Sequence, residues 1–180
     1  SFFKKKTINL INIGRLVKQK NQIEILHALS GLKSSIKKFR LLIIGQGPEK
    51  NSLIKFINRK KLNSYVKIIF TNTPYKFIKM SDVFVLSSKY EGLPNVLQEA
   101  AFLNKYIISS NCKTGPREII NKYKYGELYQ LGNVKKLTSK LMKLKKNKLN
   151  LNKKKFSKNL IDFSSKKNLE KYLSVVKKLI

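Results

Sequence analysis

With 180 residues, 42% of them hydrophobic, the chain can close a core of its own. It has no apolar run of bilayer length and no cleaved-signal pattern at its start (SFFKKKTINLINIG), so it reads as a soluble protein, and its single cysteine, Cys112, excludes an internal disulfide and suits a reducing compartment, the cytoplasm. The net charge of +31 rests on 36 Lys and only 4 Arg, mixed with Asn, Ile and Leu along the whole length, which reads as a compositional bias more than as a base-reading surface.

In chain order the pattern alternates between the two periodicities. TINLINIG (7–14) is an apolar strand ending in Gly, and residues 20–37 carry Ile23, Leu26, Leu29 and Leu32 at helical spacing. FRLLIIG (39–45) is a second strand, and residues 49–61 place Leu53, Ile54 and Ile57 on one helical face. VKIIF (66–70) is a third strand, 75–80 a short helix, and DVFVLSS (82–88) a strand apolar enough to be buried on both faces. There follow a helix from Pro94 to about Leu103, a strand at YIISS (106–110), a short helix at 116–121 and a strand near GELYQL. Residues 133–149 predict a helix with a stripe of Val134, Leu137, Leu141 and Leu144. KNKLNLNKKK and the residues to 157 then read as a basic linker, and 158–180 as a terminal helix.

Such alternation with short connections predicts an α/β domain, a doubly wound parallel sheet of Rossmann type over residues 1–145, with a linker (146–157) and a C-terminal helix (158–180) appended. Ligands of these sheets bind at the carboxyl ends of the strands, so the loops after Gly14, Gly45, Phe70, Ser88 and Ser110 are where chemistry is sought. In the fourth of them, KYEGLPNVLQEA, Glu91 and Glu99 stand eight positions apart in a chain with only nine acidic residues. Pro94 suits the first helical position, the amides at that helix start suit a phosphate, and Gly92 lets a ligand approach the backbone. Carboxylates flanking an anion site fit a molecule with hydroxyls at both ends, although two surface glutamates among lysines would look the same in sequence.

The first loop, GRLVKQKN, adds Arg15 directly after Gly14, with Lys18 and Lys20 leading into the next helix, cations suited to a departing diphosphate. GQGPE (45–49) is neither a dinucleotide fingerprint nor a P-loop and predicts only a tight turn. TGPREII (114–120) starts a helix with Glu118 in its first turn, which capping explains. His27 reads as a packed or surface residue. The two aspartates, Asp82 and Asp162, make no paired metal site, and no Ser/His/Asp arrangement is present.

GRLVKQKN, LLIIGQGPE, SDVFVLSSKYEGLPNVLQEA and GPREII, in this order and spacing, resemble the C-terminal, donor-binding domain of glycosyltransferase family 4, retaining enzymes built of two Rossmann domains (GT-B type). The resemblance covers about residues 7–142, and FSSKKNLEKYLSVV is similar to the family's last helix. It implies that Glu91 lies against the donor sugar and Glu99 holds the nucleotide's ribose. The backbone of Gly92, Leu93, Pro94 and Asn95 and the side chains of Arg15 and Lys20 would hold the diphosphate, Gly14 and Val96 would also bind the donor, and Glu91, Arg15 and Lys20 would be the catalytic set, with no metal and no cofactor beyond the nucleotide-sugar donor itself. NCKTGPREII is most like members that use UDP-sugars, including N-acetylhexosamines. Two departures stand out: FTNTPYKF lacks the glycine usual near the base, and NKY (104–106) replaces a small-residue turn.

The resemblance implies transfer to a glycan or lipid-linked acceptor. The N-terminal domain that would bind the acceptor is missing, so the chain reads as a fragment or as one half of a split enzyme, binding donor without efficient transfer alone. Sixteen lysines against two acids over 135–180 also leave room for peripheral contact with an anionic membrane. The alternatives are an inactive nucleotide- or partner-binding module and a basic nucleic-acid-binding α/β protein. The latter fits the scattered, Arg-poor charge less well, so no specific nucleic-acid partner is expected.

Overall fold

The computed structural model describes residues 2–112, 114–123 and 126–151. Six strands, β1 (Ile8–Ile13), β2 (Phe39–Ile44), β3 (Val66–Ile69), β4 (Val83–Leu86), β5 (Tyr106–Ser110) and β6 (Gly126–Tyr129), pair in parallel in the order β3-β2-β1-β4-β5-β6. Between them run α1 (Gln22–Ser30), α2 (Lys50–Arg59), α3 (Tyr75–Met80), α4 (Asn95–Phe102) and α5 (Pro116–Tyr123), followed by α6 (Val134–Lys143) and α7 (Lys146–Leu151). The period-2 pattern splits the apolar residues between two cores. Leu10, Leu41, Ile43, Val83 and Val85 meet α1, α2 and α6 on one face of the sheet; Ile11, Leu42, Ile44, Phe84 and Leu86 meet α3, α4 and α5 on the other. This is the doubly wound sheet that the alternation predicts.

Several boundaries differ from the sequence reading, each for a local reason. The helix expected over 20–37 starts only at Gln22, because Asn21 turns the chain with a left-handed backbone (φ 51°, ψ 38°). It stops at Gly31, whose N–H caps the last turn, and Lys33–Lys38 form a 3-10 turn instead. On α2 the buried stripe is Leu53, Phe56 and Ile57, while Ile54 is 37% exposed, since positions three and four apart share a face and the next residue is rotated off it. Pro94 is the N-cap of α4 and not its first helical residue: its ψ of 102° is extended, and the helix begins at Asn95.

The helix predicted over 133–149 breaks at Leu144, whose backbone is extended (ψ 134°). α7 then begins inside the stretch read as a linker and buries Leu149 in the core. The rest of that stretch and the terminal helix lie outside the described residues. In the turn before β5, left-handed Asn104 (φ 54°) does the work expected of a small residue. Beside it Lys105 is buried, its Nζ donating to the carbonyls of Lys79 (2.6 Å) and Ser81 (2.8 Å).

Candidate functional site

The chain winds outward from β1 in both directions, β2 and β3 to one side and β4, β5 and β6 to the other. The loops leaving adjacent β1 and β4 therefore diverge at their carboxyl ends, the place where such sheets bind ligands. Residues 14–21 form one wall and residues 87–94 the other. The walls are laced together: Ser87 Oγ donates to the Lys20 carbonyl (2.9 Å), the Lys89 N–H to the Gln19 carbonyl (2.8 Å) and Gln19 Nε2 to the Tyr90 carbonyl (2.9 Å).

Glu91 sits at this junction. Its side chain is 7% exposed, and one oxygen, Oε1, accepts both from Lys20 Nζ (2.6 Å) and from Ser88 Oγ (2.5 Å). A carboxylate so far out of water is tolerable because it is both paired and hydrogen-bonded. The support continues below, where Ser110 Oγ (2.7 Å) and Cys112 Sγ (2.9 Å) donate to the Ser88 carbonyl. Burial pushes the Cys112 thiol up, which keeps it a neutral donor.

The two glycine turns read as weak signals in sequence both prove to be backbone contacts of this site. A Cβ on Gly45 would stand 2.0 Å from the Gly14 carbonyl oxygen, so GQGPE closes directly on the first loop. Gly115, with φ +80°, brings the loop after β5 against the Glu-Gly-Leu-Pro turn: a Cβ there would stand 2.0 Å from the Gly92 carbonyl oxygen, and Thr114 Oγ1 donates to the Glu91 carbonyl at 2.6 Å. Above Gly92 itself a Cβ would meet no atom within 4 Å, so that face of the turn is open.

The other predicted residues divide. Lys20 and Glu91 are brought together as an ion pair, which residue types and spacing had not indicated. Arg15 shares the Lys20 loop and is exposed; its carbonyl is held by the buried Gln22 Nε2 at 3.0 Å, and its guanidinium makes no ion pair among the described residues. Leu93 and Asn95 are exposed, Pro94 is buried, and Val96 packs on the second core.

Glu99 has different neighbours from Glu91. It rides on α4, partly buried, and burial holds its carboxyl above the usual range while a hydrogen bond from the Tyr75 hydroxyl at the start of α3 pulls it back. Glu118 is exposed in the first turn of α5. His27 is exposed, its ring 4.5 Å from that of Phe56. Among the described residues no group of three His, Cys, Asp or Glu is placed to hold a metal ion.

Sequence reasoning did not single out Ser88, Gln22, Glu24, Thr114 or Tyr75. Only Thr114 had a local signal, its place beside Gly115 at a strand end; the others act through contacts 3 to 108 positions away in the chain.

Comparison with known proteins agrees with this fold. The family model for Glycosyl transferases group 1 matches residues 1–167. An uncharacterized glycosyltransferase of Methanocaldococcus jannaschii is 43% identical over 111 residues, 61% of this chain and 27% of its own length. The N-acetylgalactosamine-N,N'-diacetylbacillosaminyl-diphospho-undecaprenol 4-alpha-N-acetylgalactosaminyltransferase of Campylobacter jejuni is 31% identical over 125 residues, 69% of this chain and 33% of its own. Among solved structures, TarM matches with a TM-score of 0.82 at 26% identity, over 94% of this chain and 35% of that one. A mutant of S. aureus TarM in complex with Fondaparinux, alpha-GlcNAc-glycerol and UDP matches with a TM-score of 0.84 at 25% identity, over 94% and 35%. The chain thus spans about a third of the length of these relatives.

Proposed function

The chain belongs to the glycosyl transferases group 1 family and has the fold of the C-terminal domain of GT-B enzymes, and on that premise we propose that it binds the nucleotide-sugar donor in a retaining sugar transfer to a glycan or lipid-linked acceptor. The observation that carries the reading is the meeting of Lys20, Glu91 and Ser88 where the β1 and β4 loops diverge, next to the start of α4.

In this reading the donor's diphosphate lies over the open face of Gly92, against the first amides of α4 and the side chains of Arg15 and Lys20. Negative charge grows on the diphosphate as its bond to the anomeric carbon breaks, so these groups hold the transition state more tightly than the ground state, and the reaction runs without a metal. Glu91, already fixed by Lys20 and Ser88, presents its remaining oxygen to the sugar. Glu99, on the far side of the α4 start, accepts from the ribose. A UDP donor is favoured because the TarM complex carries UDP and because NCKTGPREII is similar to UDP-sugar users. The acceptor and the remaining catalytic groups are assigned to a second domain, on the same or another polypeptide. Domain closure would exclude water, so efficient transfer is not expected from these 180 residues alone. The reaction would take place in the cytoplasm, at the membrane face if the acceptor is lipid-linked.

Calorimetric titration tests the reading. UDP should bind the chain more tightly than inorganic pyrophosphate does, and Glu99→Ala should remove that advantage, weakening UDP about tenfold or more for the loss of charge-assisted hydrogen bonds. Equal binding of UDP and pyrophosphate, unmoved by the substitution, would mean that the fold is present without the site.

A further inference from the structure

Glu24 is a carboxylate that the donor reading leaves unused. It lies in the first turn of α1, 4% exposed, in a chain with nine acidic residues. Its Oε1 accepts the Gly132 N–H at 3.0 Å and its Oε2 accepts from Asn21 Nδ2. Burial raises its carboxyl above the ordinary value, against the pull of the hydrogen bonds from Gly132 and Asn21 and of the Lys89 charge.

Both principal partners are turn residues with left-handed backbones, Asn21 at φ 51° and Gly132 at φ +81°. Asn21 is the N-cap of α1, yet its side chain caps no amide of the helix. In a capping box the third helical residue, here Glu24, would reach back to the N-cap backbone N–H; in this chain it takes the Asn21 side-chain amide instead. The usual reason for Asn at that position, capping, is therefore absent, and what remains is its tolerance of the left-handed conformation.

That conformation matters because of its neighbour. Lys20 is held at both ends, its carbonyl by Ser87 Oγ (2.9 Å) and its Nζ by Glu91 (2.6 Å), and Asn21 is the next residue. If Asn21 relaxed into the ordinary helical or extended region, the peptide it shares with Lys20 would rotate and both contacts would be drawn apart.

We propose that Glu24 is a positioning residue for the donor site: it holds Asn21 in the left-handed turn that delivers Lys20 to Glu91, and through Gly132 it anchors that turn to the connection between β6 and α6. The effect on nucleotide binding rests on the donor reading above; the effect on loop geometry does not.

The test uses Glu24→Ala, with Glu24→Met as a variant that fills the same space and guards against simple collapse of the site, each with and without Asn21→Gly. Two quantities are measured on the 180-residue chain. One is UDP affinity against pyrophosphate. The other is exchange of the Lys89 amide hydrogen, which bonds the Gln19 carbonyl at 2.8 Å and so reports the lacing of the two loops without any ligand.

Removing Glu24 should weaken UDP about tenfold and speed that exchange, and Asn21→Gly should restore both, since glycine holds a left-handed backbone without help. The melting temperature should stay low in the double variant, because Gly132 still lacks its acceptor; a merely structural role would tie binding to melting temperature. The proposal is overturned if the Glu24 variants lace and exchange as wild type does, or if Asn21→Gly rescues neither quantity. Should the wild type show no preference for UDP, the donor reading fails and the exchange result alone decides the role of Glu24.

Discussion

On the proposed donor reading, Glu99 would trade stability for binding. A carboxylate accepts on both oxygens with full charge assistance only when ionised, and burial holds this one above its ordinary value of 4.5, so the ionised form is lost on acidification earlier than for a free glutamate. UDP affinity, referred to that of pyrophosphate at each pH, should therefore fall as the solution is acidified through a pH above 4.5, and Glu99→Gln should abolish that slope. The sign for folding is the reverse. A group with a raised folded-state pKa contributes stability that is complete below 4.5 and lost as pH rises through the raised value, so Glu99→Gln should melt higher than wild type at neutral pH while binding UDP less well. Glu127 behaves oppositely: burial raises it, but hydrogen bonds from Lys140 and Tyr106 together with the charges of Lys140 and Lys143 outweigh that and leave it low, so it stabilises at neutral pH and ceases to on acidification. The scarcity of acids and the Gly-Leu-Pro turn between them drew attention to Glu91 and Glu99 in the sequence, and the family resemblance gave them their expected roles. That Lys20 and Ser88 would converge on one oxygen of Glu91 was not legible, because Lys20 is 71 positions away and one lysine among 36 carries no local mark.

At the level of elements, the loops after β1, β2, β4 and β5 form one backbone assembly, and glycines set how closely they meet. Gly115 is the most exacting, with a left-handed φ of +80° and no room for a side chain against Gly92. Gly115→Ala should cost about 1–3 kcal/mol from the backbone conformation alone, before the clash is counted. It should also weaken UDP by pushing the Glu-Gly-Leu-Pro turn away from its open face. Chemical denaturation and titration of the same sample check both, and an unchanged stability would show that the loop after β5 has room to withdraw. Hydrophobic periodicity located nearly every strand and helix, since each is a two-faced object whose burial pattern is written locally. Their ends were less legible. Asn21, Gly31 and Leu144 stop or start helices through backbone angles that any of several nearby residues could have adopted, and Phe56 replaced Ile54 in the α2 stripe only once the sheet fixed which side of the helix faces inward.

For the molecule as a whole the dominant fact is a charge of +31, which attracts any polyanion and is screened by salt over a distance of about 8 Å at physiological ionic strength. Binding of pyrophosphate or of random RNA should therefore collapse between low salt and about 0.5 M, whereas the part of UDP binding that depends on Glu99 should survive, because it comes from hydrogen bonds inside a crevice and not from the net field. Survival of tight RNA binding at high salt would instead favour a nucleic-acid function. The sequence by itself determined the fold class and marked the strand-end loops, the two carboxylates and the first-loop cations as the places to examine for a ligand, because periodicity, turn residues and compositional rarity are local properties of the chain. Only the tertiary structure decided which of these groups touch, that the glycine turns at 45 and 115 are the site's contacts with neighbouring loops, and that a buried glutamate on α1 stands behind the Lys20 turn. The contacts of Lys20 with Glu91, Gly14 with Gly45, Gly92 with Gly115 and Glu24 with Gly132 join residues brought together by the winding order of the sheet, and no single stretch of sequence contains both partners.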